Sequence, residues 1–231
     1  MLYVVSSPIG NLDDLSLRQA KILMGADIIL AEDTRSAQTI IGAIKSRFEN
    51  IADNNPRIFS YYKDREFEKL PEIVELLKEE KNICILSENG TPLVSDPGYL
   101  LVRTAIKENI PLTVVPGPSA VITALIYSGF NPTPKQGGFS FMGFFPKKTN
   151  EGKQMLKKLT DIKKIFPDMV FVFYESPQRI NETLTLISQS GWDPDISVSR
   201  EMTKKFDETL RGKAKGLSSM NFKGEITFVI S

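Results

Sequence analysis

The sequence predicts an α/β protein whose first half is built on a mostly parallel sheet. Three observations point there. Short apolar runs without polar alternation, "LYVVS", "DIILA", "ICIL" and "LTVV", read as strands buried on both faces. Stretches with apolar residues at helical spacing separate them. A polar, turn-rich cluster follows each run, where parallel sheets bind ligands at the carboxyl ends of their strands.

Each element has a local reason. "LYVVS" (2–6) opens the sheet and runs into the loop "SPIGNLDDLS". Ser16 caps the helix "LRQAKILM", which Gly25 ends. "DIILA" (27–31) leads into "EDTR" and a helix over about 36–46; the turn-rich "NIADNNPR" (50–57) follows. In "EFEKLPEIVELLKEE" (66–80), Phe67, Leu70, Ile73, Val74 and Leu77 share one helical face, and Pro71 marks its first turn or a kink. The strand "ICIL", the loop "SENGTPLVSDPG", the helix "YLLVRTAIKEN" and the strand "LTVV" complete the first half. "VVPGPSA" (114–120) reads as a joint, which places a domain boundary near 117 and gives domains of 1–117 and 118–231. After the helix "VITALIYSG" and the Gly/Pro-rich "GFNPTPKQGG", the second half reads as strand "FSFMGF", helix 151–166, strand "MVFVFY", helix 178–190, strand "ISVS" and final strand "EITFVI". A mixed sheet is expected there.

Composition excludes much chemistry. The 231 residues contain no histidine and one cysteine, Cys84, inside an apolar run. Disulfide frameworks, His-ligated metals and Ser-His-Asp or Cys-His arrangements are therefore excluded, and no metal is expected. A general base must come from Asp, Glu, Lys or Tyr. No apolar run approaches the ~18–20 residues of a membrane span, and the N-terminus lacks the features of a signal peptide, so a cytoplasmic protein is expected. Residues 1–117 carry 13 Lys/Arg against 17 Asp/Glu, and residues 118–231 carry 16 against 11. The second half is the better candidate for a polyanionic partner.

Four loops concentrate the unusual chemistry of the first half. "SSPIGN" can present backbone groups to a small molecule or simply turn the chain at Gly10. "EDTR" places Glu32, Asp33, Thr34 and Arg35 together, either as a helix cap or as a polar cluster at an active edge. "SENGTPLVSDPG" and "PGPSA" have no phosphate-loop spacing. In the second half, seven lysines and two acids fall between 147 and 164. They form either a solvated helix face or a footprint for nucleic-acid phosphates, with Phe144 and Phe145 able to stack on a base. "YESPQR" fits a cap by Ser176 and a first helical Pro177, which leaves Glu175 and Arg179 unexplained. Arg200, Glu201, Lys204 and Glu208 line a cleft or form surface ion pairs.

Taken together and in order, "SPIGNLDDLSLRQ", "EDTR", "SENGTPLVSDPG", "VVPGPSA", "GFFP", "YESPQR", "REMTKKFDETLRG" and "KGEITFVI" resemble one family along the whole chain. It is the bacterial 16S rRNA (cytidine-2'-O)-methyltransferases, a branch of the tetrapyrrole methylase superfamily. The family's usual "SDAGTP" reads "SENGTP" here, its "SPHR" reads "SPQR", and its "YHEHNE"-like segment reads "YYKDRE". The resemblance implies a two-domain tetrapyrrole methylase-like fold (class III methyltransferase), a homodimer, and S-adenosylmethionine bound in a cleft between domains. It implies methyl transfer to the 2'-hydroxyl of a cytidine in the decoding region of 16S rRNA, on the small ribosomal subunit. By motif position the cofactor meets Pro8, Ile9, Gly10, Gly90, Thr91, Pro92, Leu93, Ser119 and Ala120. The methyl acceptor faces Thr34, Glu175, Ser176, Arg179, Arg200 and Glu201, with Lys147 and Lys148 on RNA phosphates. Glu32 or Asp33 is the expected base with Arg35 holding the geometry, and Lys204 or Glu201 is the second choice. A small-molecule methylase of the same fold and an RNA-binding homologue without catalysis remain the alternatives.

Overall fold

The computed structural model describes residues 1–62, 66–93, 97–132 and 137–231. Residues 94–96 of "SENGTPLVSDPG", 63–65 of "YYKDRE" and 133–136 of "GFNPTPKQGG" lie outside them. The chain divides into two compact units, Met1–Ser119 and Ala120–Ser231.

The first unit contains β1 (Leu2–Val5), α1 (Leu17–Met24), β2 (Ile28–Ala31), α2 (Thr34–Arg47), β3 (Arg57–Ser60), α3 (Glu66–Lys78), β4 (Ile83–Leu86), α4 (Tyr99–Lys107) and β5 (Leu112–Val115). Its five strands run parallel in the order β3-β2-β4-β1-β5. Alternate strand positions feed opposite cores, because successive side chains point to opposite faces. Val5, Ile29, Ala31, Cys84 and Leu86 pack with α1 and α2. Leu2, Val4, Ile28, Leu30, Ile83 and Ile85 pack against α3 and α4. A sheet clothed on both faces explains why its strands carry no polar alternation.

Helix ends follow the sequence cues. Ser16 and Gln19 form a reciprocal capping box on α1, and Asp33 caps α2 by accepting from the Arg35 N–H at 2.8 Å. Pro71 sits inside α3. β3 is an addition: "RIFS" is a four-residue edge strand, too short and too polar at Arg57 to announce itself.

The second unit contains α5 (Ala120–Ser128), β6 (Phe139–Phe144), α6 (Thr149–Ile165), β7 (Val170–Glu175), α7 (Ile180–Ser188), β8 (Asp195–Arg200), β9 (Glu208–Lys213), α8 (Ala214–Leu217) and β10 (Ile226–Ile230). The sheet order is β6-β7-β10-β8-β9. β6 and β7 are parallel, whereas β10 runs antiparallel to both β7 and β8, and β8 antiparallel to β9. Phe171, Phe173, Ile196, Val198, Phe228 and Ile230 pack under α6, α7 and α8. The charged segment "ETLRGK" is a strand, β9, because Leu210 reaches the core while Thr209 and Arg211 point to the opposite face, toward Ser199 and α5. Ser176 does not cap α7. The helix starts at Ile180 with Arg179 at its N-cap, and the Ser176 carbonyl accepts from the N–H groups of Arg179 and Ile180 in a preceding turn.

Candidate active site

At the carboxyl edge of the first sheet, the loops after the neighbouring strands β4, β1 and β5 are stitched together. The Ser7 N–H donates to the Gly90 carbonyl at 2.8 Å, and the Gly90 N–H donates back to Ser7 Oγ at 2.9 Å. Ser87 Oγ donates to the same Gly90 carbonyl at 2.5 Å. Thr91 Oγ1 donates to the Pro118 carbonyl at 3.1 Å and lies 3.5 Å from Ser6 Oγ. Gly90 has φ +83°, and a Cβ there would stand 2.9 Å from Ile9 Cγ2 and 3.2 Å from the Pro118 carbonyl. Only glycine gives both the backbone turn and this closeness. Ile9 and Pro92 are buried, Gly10 is exposed, and Thr91, Leu93 and Ser119 are half-buried. Leu93 holds a φ of +70°, a conformation that costs energy for a branched side chain and persists where its surroundings over-determine it. Ala120 opens α5 in the second unit.

The two carboxylates after β2 have different surroundings. Asp33 caps α2 and also takes the Arg35 guanidinium, Nε at 3.2 Å and Nη2 at 2.9 Å. Hydrogen bonding from that side chain, then from the Arg35 backbone, holds the Asp33 carboxyl below the usual carboxylate range. Glu32 is exposed beside the closely packed Tyr61, Ser87, Pro92 and Pro97. Glu88 is exposed and accepts from Ser36 Oγ at 3.3 Å, which ties the β4 loop to the first turn of α2.

In the second unit, Glu175 is 3% exposed and both its oxygens are engaged. Oε1 takes Arg179 Nη2 and the Ser176 N–H (2.8 Å); Oε2 takes Thr183 Oγ1 at 2.8 Å. Arg179 Nη2 also donates to the Phe145 carbonyl at 3.2 Å. Glu175 therefore holds the turn and Arg179. Phe145 is core, 1% exposed, which removes it from any stacking role; Phe144 is exposed. Lys147 and Lys148 are exposed at the start of α6, and Lys148 pairs with Glu151 at 3.0 Å.

The β8–β9 connection is strapped by charge. Lys204 Nζ bridges Glu201 (3.2 Å) and Glu225 (2.7 Å), and Glu201 Oε1 accepts the Glu225 N–H at 3.0 Å. Burial works to lower the Lys204 pKa, but pairing with Glu225 and Glu201 outweighs it and raises it. The Glu225 N–H holds the Glu201 carboxyl below its ordinary value. Both groups of the second-choice base, Lys204 and Glu201, are thus engaged in one ion-pair network. Arg200 pairs with Glu208 at 2.7 Å.

The sequence pattern of the Tetrapyrrole (Corrin/Porphyrin) Methylases matches residues 1–218. The chain belongs to this family. Relatives in Hydrogenobaculum sp. and Thermotoga maritima, each named "Ribosomal RNA small subunit methyltransferase I", are 38% identical over this entire chain and over 95% and 97% of their own length. A uroporphyrin-III C-methyl transferase from Thermus thermophilus, solved with S-adenyl homocysteine, shares the fold with a TM-score of 0.64 at 13% identity, covering 100% of this chain and 96% of that one.

In this tetrapyrrole methylase the segments 8–10, 90–93 and 118–119 adjoin at one sheet edge, as their shared strand direction requires. Sequence reasoning missed Gln19. Its buried amide accepts the Ser16 N–H at 2.6 Å and donates to the Ser6 carbonyl at 2.8 Å, so α1 fixes the end of β1. The capping-box spacing Ser16-x-x-Gln19 was the available signal. Ser87, although it opens "SENGTPLVSDPG", and Thr183, inside a helical stretch, were also missed. Among the described residues no cluster of carboxylate and thiol groups could hold a metal, and no helix is long and apolar enough to cross a membrane.

Proposed function

We propose that this protein is an S-adenosylmethionine-dependent methyltransferase of small-subunit ribosomal RNA that methylates the ribose 2'-hydroxyl of a cytidine in the decoding region of 16S rRNA. The observation that carries the reading is full-length 38% identity to relatives named as methyltransferases of that RNA. The loop edge suits the cofactor. It has close-packed backbone at Gly90, apolar Ile9, Pro92 and Leu93, and the Ser6 and Thr91 hydroxyls, a mixture fit for an adenosine and a zwitterionic tail. Pro8, Ile9, Gly10, Gly90–Leu93, Ser119 and Ala120 would hold it. When bound, it supplies a methyl carbon already activated by a sulfonium charge.

The chain's own residues then align the acceptor and take its proton. A ribose hydroxyl is a weak acid, so a positioned base contributes roughly 10²–10⁴-fold. Glu32 is that base, because Asp33 is committed to Arg35 and Lys204 to two carboxylates. Arg35 fixes Asp33 and the start of α2; its charge also faces the RNA. Thr34, Arg179 and Arg200 contribute to the acceptor side. Lys147 and Lys148 meet phosphates. The reading includes a homodimer acting in the cytoplasm, which sedimentation checks.

Mass spectrometry of 16S rRNA from small subunits incubated with the protein and S-adenosylmethionine tests the function. One added methyl on a cytidine ribose is the expected result. Methylation of a porphyrin or corrin precursor, with none on RNA, overturns it in favour of the small-molecule alternative. Cofactor binding without turnover on either substrate overturns it in favour of a binding protein.

A further inference from the structure

The sheet of the second unit is covered unevenly. α6, α7 and α8 pack on one face. Among the described residues of this unit, α5 lies on the other, across β7, β10, β8 and β9. The outer strand β6 carries aromatic residues on that second face. Phe139 and Phe141 lie in register with Val170 and Val172, whose neighbours Phe171 and Phe173 point into the helix-covered core. Phe144 is an odd number of residues from Phe141 and would ordinarily point the opposite way. An irregularity between Phe141 and Phe144, where Gly143 takes φ +73°, brings Phe144 into register with Tyr174. The extra residue thus re-aims Phe144 onto the same face. Phe141 and Phe144 both meet the Tyr174 ring edge-on, at centroid distances of 4.8 and 5.6 Å.

The result is a row of aromatic residues in which Phe141 and Phe144 lock against Tyr174, with Phe139 41% and Phe144 59% exposed. Exposed basic residues, Lys147 and Lys148, follow directly, the second paired with Glu151 at 3.0 Å. Lys147 is three residues beyond Phe144, within about 10 Å along the chain, whereas Lys153 and Lys157 belong to α6 on the opposite face. Aromatic rings standing on a sheet beside cations match unpaired nucleic acid, whose bases stack and whose phosphates seek positive charge.

We propose that this face of β6, formed by Phe139, Phe141, Phe144 and Tyr174, is a stacking platform for unpaired bases of the RNA substrate, with Lys147 on the adjoining phosphate. This rests on the RNA reading above and names how the RNA is gripped away from the methyl acceptor. Gly143 is its positioning residue, since it sets the direction of Phe144.

The test uses the full chain and an unstructured single-stranded RNA carrying 2-aminopurine, whose fluorescence falls on stacking. Wild type binds and quenches. The Phe139→Ala/Phe144→Ala variant binds about tenfold or more weaker without quenching, with unchanged S-adenosyl homocysteine affinity by calorimetry. Phe139→Tyr/Phe144→Tyr restores both. Wild-type binding matched by the alanine variant overturns the platform and leaves the RNA reading standing. No binding of RNA by wild type, either this probe or small-subunit RNA, overturns both. A dimer that falls apart in the alanine variant shows the face to be a contact between copies of the chain, and overturns the platform.

Discussion

Glu32 and Asp33 are adjacent carboxylates with different surroundings. Asp33 is fixed three ways by Arg35, through backbone N–H, Nε and Nη2. Its depressed pKa means its pairing is fully present above the ordinary carboxylate range and is lost only as pH falls through the folded value. Glu32 has no such bonds among the described residues. Glu32→Gln should therefore lower single-turnover methylation of small subunits by about 10²–10⁴-fold while RNA and cofactor affinities hold. Asp33→Asn should keep more of the rate and chiefly lower the melting temperature slightly, by loosening the α2 cap. Equal rate losses in the two variants would refute the division. Gly90 gives a second prediction at this scale. Gly90→Ala forces a left-handed residue against Ile9 and the Pro118 carbonyl, so cofactor affinity measured by calorimetry should fall by about tenfold or more. "EDTR" is legible from residue types alone as a helix cap or a polar cluster, and the cap is seen at Asp33. Which carboxylate stays free is not, because the answer lies in where one guanidinium folds back.

Among elements, the strand direction of the first sheet is the most legible feature. Four unalternated apolar runs, each followed by a turn cluster, are what a sheet buried on both faces demands. β3 and β9 escape because they are the polar ones among the edge strands; β5 and β6 are edges too, but their apolar runs show them. An edge strand borders one neighbour and faces water, so "RIFS" and "ETLRGK" carry the polar residues of a loop. The β8–β9 connection is plainly charge-rich in the sequence, but its role as a strap emerges only in three dimensions. Glu201 and Thr203 hold φ of +49° and +66° there, and Asp207 Oδ2 takes the Thr203 N–H and the Tyr127 hydroxyl. Glu201's lowered pKa and Lys204's raised pKa define the pH window. The strap is intact between them, loosens as pH falls through the folded Glu201 value, and loosens again as pH rises through the folded Lys204 value. The Glu225 amide should be protected from hydrogen exchange at neutral pH, and its protection factor, taken against the intrinsic rate at each pH, should fall on acidification. Lys204→Met should weaken that protection already at neutral pH; unaltered exchange would show the network to be incidental.

For the whole molecule, the charge split is the property most directly tied to the substrate. The lysines of α6 belong to a unit with an excess of basic residues, 16 against 11 acids over 118–231. If Lys147 and Lys148 neutralise phosphates, the double change to Ala flattens the dependence of log affinity on log salt by about 0.7–0.9 for each phosphate no longer neutralised. Cofactor affinity should not change. A slope identical to wild type would return these lysines to the role of a solvated helix face. The basic run is plain in the sequence. Its target is not, since two exposed lysines look the same whether they meet phosphate or water.

The place of β1 in its sheet has a consequence for how the chain acquires its shape. Leu2 pairs with Ile83 on one side and Leu112 on the other, so an interior strand of the sheet is the first in sequence and its two partners, β4 and β5, are the last of its unit. No nearby strand can hold it while they form. Closing such long separations is entropically costly, and parallel sheets of this kind assemble slowly. The residues that end in the stitched loops of the active edge are therefore the last to be secured. A refolding chain should regain helix well before it regains the ability to bind its cofactor.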